Sequence, residues 1–269
     1  MPFFHHRGVK IHYHESGSGP TVVYLHGLLH RNWMQNRLFD LASKRFRAVA
    51  MEFSGHGESD APKDPSHYSL LEFASEVDAL LRHVEVESAV VHGTSLGANV
   101  VLEMLVSYPT RLAGAVVEMP VLAGGYPFAR VIFAPLAMAL NTTAPLVSAV
   151  ASALSRIPRS NPNLGVFLDI VPKDPRQAAS VLRGLLESTP RPDLSCFRGI
   201  DVPTLVIGHP RDPLHSFEDA KRLVEALPNG RLLVAKSMLE LRLNPCRLWP
   251  EIESFYDSCL RQFSDTSAG

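Results

Sequence analysis

The residues best suited to chemistry surround Ser95, in the stretch GTSLG at positions 93–97. This Gly-x-Ser-x-Gly motif stands between a β-branched run at 88–92 and an apolar stretch with helical spacing at 96–106. A serine on a tight strand-to-helix turn has a strained backbone, and the chain can pass close by only where the neighbouring residues are small. The two glycines meet that need. The turn directs Oγ outwards at the N-terminus of the helix, where N–H groups and the positive dipole end converge. We therefore predict Ser95 to be a nucleophile.

The elements that would position Ser95 alternate between short β-branched runs and helical spacing, which is typical of parallel βαβ units. The predicted strands are 9–14, 21–25, 47–51, 88–92, 113–117, 203–208 and 231–235, and the predicted helices are 32–43, 70–84, 96–106, 217–227 and 249–263. Between 120 and 199 the pattern changes to helices without clear strands. The predicted fold class is therefore α/β, a mostly parallel open sheet flanked by helices. A core of residues 1–119 and 200–269 would carry a helical insertion at 120–199.

These motifs resemble those of the α/β-hydrolase fold superfamily, and the resemblance covers nearly all of the chain. The stretch HGL at 26–28 follows a strand and is similar to the family's oxyanion segment, and SGHGESD at 54–60 resembles a family loop written G-H-G-x-S-D. Ser95 falls on the nucleophile elbow. The block at 120–199 falls where the family inserts its cap, and Asp212 falls where it places the triad acid.

The resemblance implies acyl transfer to water. Ser95 would attack an acyl carbonyl, and the backbone N–H groups of Leu28 and Leu96 would hold the oxyanion. The loss of one such donor typically costs about 3–4 kcal/mol of transition-state stabilisation. The predicted activity is hydrolysis of a carboxylic ester or thioester through an acyl-enzyme. A serine argues against the epoxide hydrolases and haloalkane dehalogenases of this fold, which use an aspartate nucleophile.

The histidine that should activate Ser95 is missing from the family's usual place after the last strand. The stretch 235–245 contains no histidine, and Met238 stands about where one is expected. An unassisted serine is a poor nucleophile at neutral pH, so the base must be sought elsewhere. Our first choice is His215, the only histidine after Asp212. With His215 as base, Glu118 is an alternative acid, since some members of the fold place their acid there. The competing role for His215 is to precede a helix that begins after Ser216.

The sequence also allows a different base, or none at all. The base could be His26, His30 or His56, which the predicted topology brings to the same edge of the sheet, although histidines in such loops are usually structural. Alternatively, the chain could be a relative with little or no catalytic activity that binds a ligand in the old pocket.

The first part of the helical block is almost uncharged, since only Glu118 and Arg130 are charged between Leu112 and Ser155. If it covers the site, its inner face should be apolar and suit a small to medium hydrophobic acyl group, although cap–core packing needs the same residues. The candidates are Phe128, Val131, Ile132, Phe133, Leu136, Met138 and Leu140. The uncharged stretch 131–155 is interrupted by Pro135 and by 141–145, which favours two helices over a membrane span.

Composition limits the remaining possibilities. The 26 basic and 27 acidic residues and a pI near 6.9 argue against a nucleic-acid partner. Three cysteines, Cys196, Cys246 and Cys259, have neither disulfide-framework nor zinc-site spacing, and no cofactor motif is present. The N-terminus lacks signal-peptide features, so a cytoplasmic location is expected. The oligomeric state does not follow from the sequence.

Two further groups of histidines are expected to be structural. His5, His6, His12 and His14 cluster near a predicted hairpin, where a solvated strand face is expected rather than a metal site. His92 lies inside the strand before the motif and is expected to be a core residue.

Overall fold

The computed structural model describes residues 2–29, 36–122, 124–157, 174–188, 193–212 and 214–266. These residues form a single eight-stranded sheet. Its strands are β1 (Phe3–His6), β2 (Val9–Ser16), β3 (Thr21–Leu25), β4 (Arg47–Met51), β5 (Ala89–Thr94), β6 (Leu112–Glu118), β7 (Thr204–Gly208) and β8 (Gly230–Val234). The strand order is β1-β2-β4-β3-β5-β6-β7-β8. Only the β1–β2 and β2–β4 pairs are antiparallel. The predicted mostly parallel α/β sheet is therefore confirmed.

Helices cover both faces of this sheet. The described α-helices are α1 (Asn36–Ala42), α2 (Leu70–His83), α3 (Leu96–Ser107), α4 (Tyr126–Thr142), α5 (Ala144–Ser155), α6 (Pro175–Glu187), α7 (Phe217–Ala226), α8 (Glu240–Leu243) and α9 (Trp249–Thr266). Apolar side chains of α2, α3 and α7 form one core with one face of the sheet, and those of α1, α8 and α9 form a second core with the other. Within β3, Val23 and Leu25 enter the first core while Val22 and Tyr24 enter the second, as the two-residue period of a strand requires.

The insertion between β6 and β7 contains α4, α5 and α6. Leu140 on α4 packs with Ala178, Ala179 and Leu182 on α6 in a small apolar cluster of its own. Asp174 begins α6 by accepting the N–H groups of residues 176 and 177. The described helices thus place an apolar layer over the edge of the sheet where β5, β6 and β7 end.

The expected inner face of the insertion is partly wrong. Phe128 and Ile132 are 44% and 40% exposed, and Val131 and Met138 are 72% and 66% exposed. A helix on a surface buries only one stripe about 100° wide. In α4 that stripe holds Ala129, Phe133, Leu136 and Leu140, at helical spacings of three and four residues. The overall hydrophobicity of α4 does not show which of its sides is buried.

Within the described residues no single helix is long and apolar enough to cross a membrane. Taken together, α4 and α5 have the length and the apolar composition of a membrane-spanning segment, but their axes differ by 89° at the break between them.

The N-terminal hairpin also differs from expectation, because His12 is buried whereas His14 is exposed. The His12 Nδ1 atom lies 3.0 Å from Glu52 Oε2, and the backbone N–H of His12 donates to Ser59 Oγ at 2.9 Å. The loop after β4 therefore covers the face at His12, while the face stays solvated at His14.

Candidate active site

Ser95 lies at the turn from β5 to α3, with φ 53° and ψ −107°. A Cβ atom on Gly93 would overlap the carbonyl of Gly97, and one on Gly97 would overlap the carbonyl of Leu25. The Ser95 N–H donates to the Glu118 carbonyl at 2.8 Å, which fixes the turn against the end of β6. This is the strained, glycine-dependent turn that the motif predicts.

The His215 ring reaches Ser95 from the loop after β7. Its Nε2 atom lies 3.1 Å from Ser95 Oγ, and its Nδ1 atom lies 2.7 Å from Asp212 Oδ2. The other oxygen of Asp212, Oδ1, accepts the backbone N–H groups of Leu214 and His215 at 3.0 and 3.1 Å. Ser216 caps α7 by accepting the Asp219 N–H, so His215 precedes the helix and also faces Ser95. The structure thus brings together the three side chains that the sequence selected.

Protonation of this trio follows from its hydrogen bonds. Burial by itself raises the pKa of Asp212, but the hydrogen bonds and charge of His215 and the Leu214 amide outweigh it and hold that pKa below its usual range. An ionised carboxylate can only accept, so the His215 Nδ1 atom carries the proton. The Nε2 lone pair is then free to accept the Ser95 hydroxyl hydrogen.

The two residues predicted to supply oxyanion donors lie next to Ser95. Leu96 is the first residue of α3, and a first-turn N–H has no acceptor within its own helix. Leu28 lies in the turn after β3, next to Leu29 with φ 59°. Leu28 and Leu96 line one cavity together with Ser95. This position next to Ser95 is compatible with the predicted role of their amides, which stays a prediction.

That cavity is small and almost wholly apolar. Its volume is about 50 Å³ and its lining residues are Leu28, Ser95, Leu96, Asn99, Val121, Tyr126, Ala129, Phe133, Leu182, Leu185, Leu186 and Leu214. Side chains of α4 and α6 form part of its lining.

The other candidate bases have different partners. The His26 Nε2 atom accepts the Phe53 N–H at 3.1 Å while its Nδ1 atom lies 2.8 Å from the Gly27 carbonyl, so both ring nitrogens hold the backbone. His56 is buried with Nδ1 3.1 Å from the Ser54 carbonyl. His30 lies outside the described residues. His92 is a core residue as expected, with Nδ1 2.6 Å from the Tyr256 hydroxyl.

Glu118, the alternative acid, is engaged elsewhere, since Asp212 is the carboxylate at His215 Nδ1. Both terminal nitrogens of Arg242 donate to the Glu118 carboxylate, with Nη2 2.8 Å from Oε2. Burial raises the pKa of Glu118, but the charges and hydrogen bonds of Arg242 and His209 together outweigh burial and hold that pKa far below its usual range. The structure therefore corrects the alternative expectation for Glu118. Met238 is 41% exposed in the loop after β8.

Sequence reasoning missed residues that hold this site together. Asn99 Nδ2 donates to the Val121 carbonyl at 2.9 Å and Asn99 Oδ1 accepts the Val121 N–H at 3.0 Å, which ties α3 to the start of the insertion. The Gly124 N–H donates to Asp219 at 2.9 Å. Arg242 was also missed, although an arginine in the loop where the resemblance expects a histidine is a signal that could have identified it.

Comparison with known proteins agrees with this fold. A family model described as alpha/beta hydrolase fold matches residues 20–145. The human mesoderm-specific transcript homolog protein is 36% identical over 119 residues, which are 42% of this chain and 35% of that protein. The bifunctional epoxide hydrolase 2 of Sus scrofa is 35% identical over 107 residues, 39% of this chain and 19% of that protein. The matches thus span about a third or less of these relatives' length.

Solved structures resemble the chain over nearly its whole length. An enol-lactonase from Burkholderia xenovorans LB400 has a TM-score of 0.77 and 22% identity, and the match covers 94% of this chain and 99% of that one. A thermophilic esterase from Thermogutta terrifontis has a TM-score of 0.75 and 19% identity, with 94% of each chain covered. At this identity the likeness shows the fold. The sheet order, the Ser95 turn and these matches together show that the chain has the α/β-hydrolase fold.

Proposed function

We propose that this protein hydrolyses carboxylic esters or thioesters with Ser95 as the nucleophile. The observation that carries the proposal is the chain of contacts from Ser95 Oγ to His215 Nε2, 3.1 Å, and from His215 Nδ1 to Asp212 Oδ2, 2.7 Å. A serine, a base within hydrogen-bond reach and a carboxylate that orients the base are the parts that nucleophilic acyl transfer requires.

In the proposed reaction, His215 Nε2 takes the hydroxyl proton while Ser95 Oγ bonds to the acyl carbon. The carbonyl oxygen becomes an oxyanion, which the Leu28 and Leu96 amides stabilise. As the intermediate collapses, the bond to the leaving alcohol or thiol breaks and His215 gives that group its proton. Water then attacks the acyl-enzyme with His215 again as base, and the carboxylic acid leaves while Ser95 regains its proton.

The substrate class is proposed from the cavity. A lining of leucine, valine, alanine and aromatic side chains favours an apolar acyl group. A volume of about 50 Å³ favours a short one. The enol-lactonase and the esterase with similar folds are named for reactions at carboxylic ester bonds, which supports this choice.

The competing function is that of a protein that binds a ligand in this cavity without turnover. A fluorophosphonate separates the two, because it forms a covalent adduct only with an activated serine. We expect an adduct on Ser95 of the wild type by mass spectrometry and none in Ser95→Ala. No adduct on the folded wild type would refute the hydrolase proposal.

The role of His215 has its own test. We expect His215→Ala to lower the turnover of a short p-nitrophenyl ester at least about 100-fold, the usual scale for a lost general base. The matched control is His5→Ala, because His5 is an exposed histidine on β1 at the far edge of the sheet. An unchanged rate in His215→Ala would remove His215 from the mechanism.

A further inference from the structure

A buried charge cluster adjoins the turn that carries Ser95. Glu118 is the last residue of β6, and its side chain is 1% exposed. Its carboxylate accepts both terminal nitrogens of Arg242 and, at 2.6 Å, the hydroxyl of Thr94. The Glu118 carbonyl accepts the Ser95 N–H at 2.8 Å, and His209 Nε2 lies 3.5 Å from Oε1. One residue thus contacts the nucleophile turn, the end of β7 and the loop after β8.

Arg242 enters this cluster from α8, in the loop where the resemblance expects the catalytic base. A guanidinium stays charged at any pH at which the protein is folded, so it does not exchange protons as a base would. It presents a planar pair of donors that matches the two oxygens of a carboxylate. The side chain of Arg242 is 8% exposed, so the cation is fixed in an environment that screens charge poorly.

The position of Glu118 makes its charge matter for the proposed reaction. A carboxylate behind the Ser95 turn would oppose the negative charge that develops on the substrate oxygen at the Leu96 amide. In a water-excluded site such an interaction is much stronger than in bulk solvent. A cation bound to that carboxylate cancels the opposing field and also holds the carboxylate on Thr94.

We propose that Arg242 is a positioning residue for hydrolysis by Ser95, because it neutralises Glu118 and fixes it against the nucleophile turn. This inference rests on the proposed function. It assigns to the loop after β8 an electrostatic role in place of proton transfer.

The pH dependence of an Arg242 variant distinguishes this role from a merely structural one. Among the residues that the structure describes, His92 on β5 and Tyr256 on α9 also interact with Glu118, besides Arg242 and His209. Burial lowers the pKa of His92 to about 4 and raises the pKa of Tyr256 far above its usual range. Once Arg242 is removed, Glu118 loses its cation and burial favours its neutral form. Activity should then fall as pH rises and Glu118 ionises.

The experiment compares Arg242→Met, the double variant Glu118→Gln/Arg242→Met, and Arg247→Met as the matched control. Arg247 pairs with Glu240 in the same loop, but its side chain is 43% exposed. We expect the kcat of Arg242→Met to be at least about tenfold below that of the wild type at about pH 8, with KM within about threefold of the wild-type value. The kcat of the variant should recover as the pH is lowered. The double variant should regain most of kcat at high pH and lack the new pH limb, although it keeps His209. Arg247→Met should match the wild type.

Rates are normalised to the fraction of protein that a fluorophosphonate labels. A folded Arg242→Met with wild-type kcat and pH profile would overturn the inference, as would a pH limb that persists in the double variant. If Arg242→Met does not fold, Arg242→Lys and Arg242→Gln replace it, and only the glutamine variant should show the limb. A wild type that neither labels nor hydrolyses any ester would overturn the proposed function, and this inference with it.

Discussion

Asp212 and His215 lie three residues apart in one loop, so a single short turn holds both members of the acid–base pair. The Asp212 carboxylate accepts the amides of Leu214 and His215 with one oxygen and the His215 ring with the other. Three hydrogen bonds to one side chain fix its rotamer, and the fixed carboxylate in turn orients the ring. The direction of His215 is therefore set within four residues of chain.

The first prediction concerns Asp212→Asn. The asparagine Oδ1 can still accept the two amides, but its NH₂ group would face His215 Nδ1 and donate to it. The ring proton would then sit on Nε2, where it blocks transfer from Ser95. We expect kcat/KM for a short ester to fall roughly 10³–10⁴-fold while the protein stays folded.

The control for Asp212→Asn is Asp193→Asn. Asp193 caps a short 3₁₀ helix by accepting the Ser195 N–H at 2.8 Å, a contact that does not involve His215. We expect its kcat/KM to equal that of the wild type. Equal activity in Asp212→Asn would show that His215 works without this carboxylate.

Sequence could identify some of these residues and not others. Ser95 and Asp212 carry recognisable motifs, and His215 was reached because it is the only histidine after Asp212. Whether its ring turns towards Ser95 depends on a loop conformation that residue types do not report. The Glu118–Arg242 pair spans 124 positions and has no periodic pattern, so it became visible only in three dimensions.

At the scale of elements, strands were the most predictable feature. β3 and β4 begin and end at the predicted residues, because β-branched runs buried on both faces have no amphipathic alternative. Ser69 caps α2 by accepting the Glu72 N–H, and the helix ends one residue before the predicted end. β1 was missed as a separate strand because four residues carry too little pattern. The buried stripe of α4 depends on partners in α6, so hydrophobicity alone could not set it.

The second prediction concerns the packing of α3 on β3. A Cβ atom on Gly97 would overlap the backbone carbonyl of Leu25, and backbone gives way less easily than a side-chain end. We expect Gly97→Ala to move the start of α3 away from the sheet, lower stability by about 2–4 kcal/mol and abolish fluorophosphonate labelling of Ser95. Urea unfolding and mass spectrometry measure the two effects.

Gly199→Ala serves as the control for Gly97→Ala. A Cβ atom on Gly199 would meet nothing within 4 Å. We expect this variant to unfold at the wild-type urea concentration and to label normally. Wild-type labelling in Gly97→Ala would mean that the turn does not need a glycine there.

At the scale of the whole molecule, buried ionisable groups determine how stability varies with pH. Glu76 on α2 is buried, and its Oε2 atom accepts the Ser54 N–H at 3.1 Å. Burial raises the pKa of Glu76 to about 8, although the contact with Ser54 lowers it somewhat. A raised folded-state pKa gives stability that is fully present below about pH 4.5 and is lost as pH rises through about 8.

The third prediction follows from that sign. Glu76→Gln removes the titration and keeps an acceptor for Ser54. We expect the difference in free energy of unfolding, variant minus wild type, to increase by about 1.4 kcal/mol per pH unit between about pH 5 and about pH 8. Urea unfolding across that range is the measurement. The control is Glu72→Gln, since Glu72 lies on the same helix in an accessible ion pair with Arg7. If this difference in free energy of unfolding did not change with pH, the Glu76 carboxyl would be ionised in the folded protein and the prediction would be wrong.

The common loop of Asp212 and His215 has a consequence for inheritance and engineering. When an acid and its base lie on two loops, both loops must be conserved for the two groups to stay in contact. Here the stretch from His209 to Ser216 carries both the proposed acid and the proposed base, as one cassette. A single segmental exchange could transfer that cassette into a scaffold whose own histidine has been removed. Insertions or deletions after β8 would likewise leave both groups in place, provided that they keep the contact of Arg242 with Glu118.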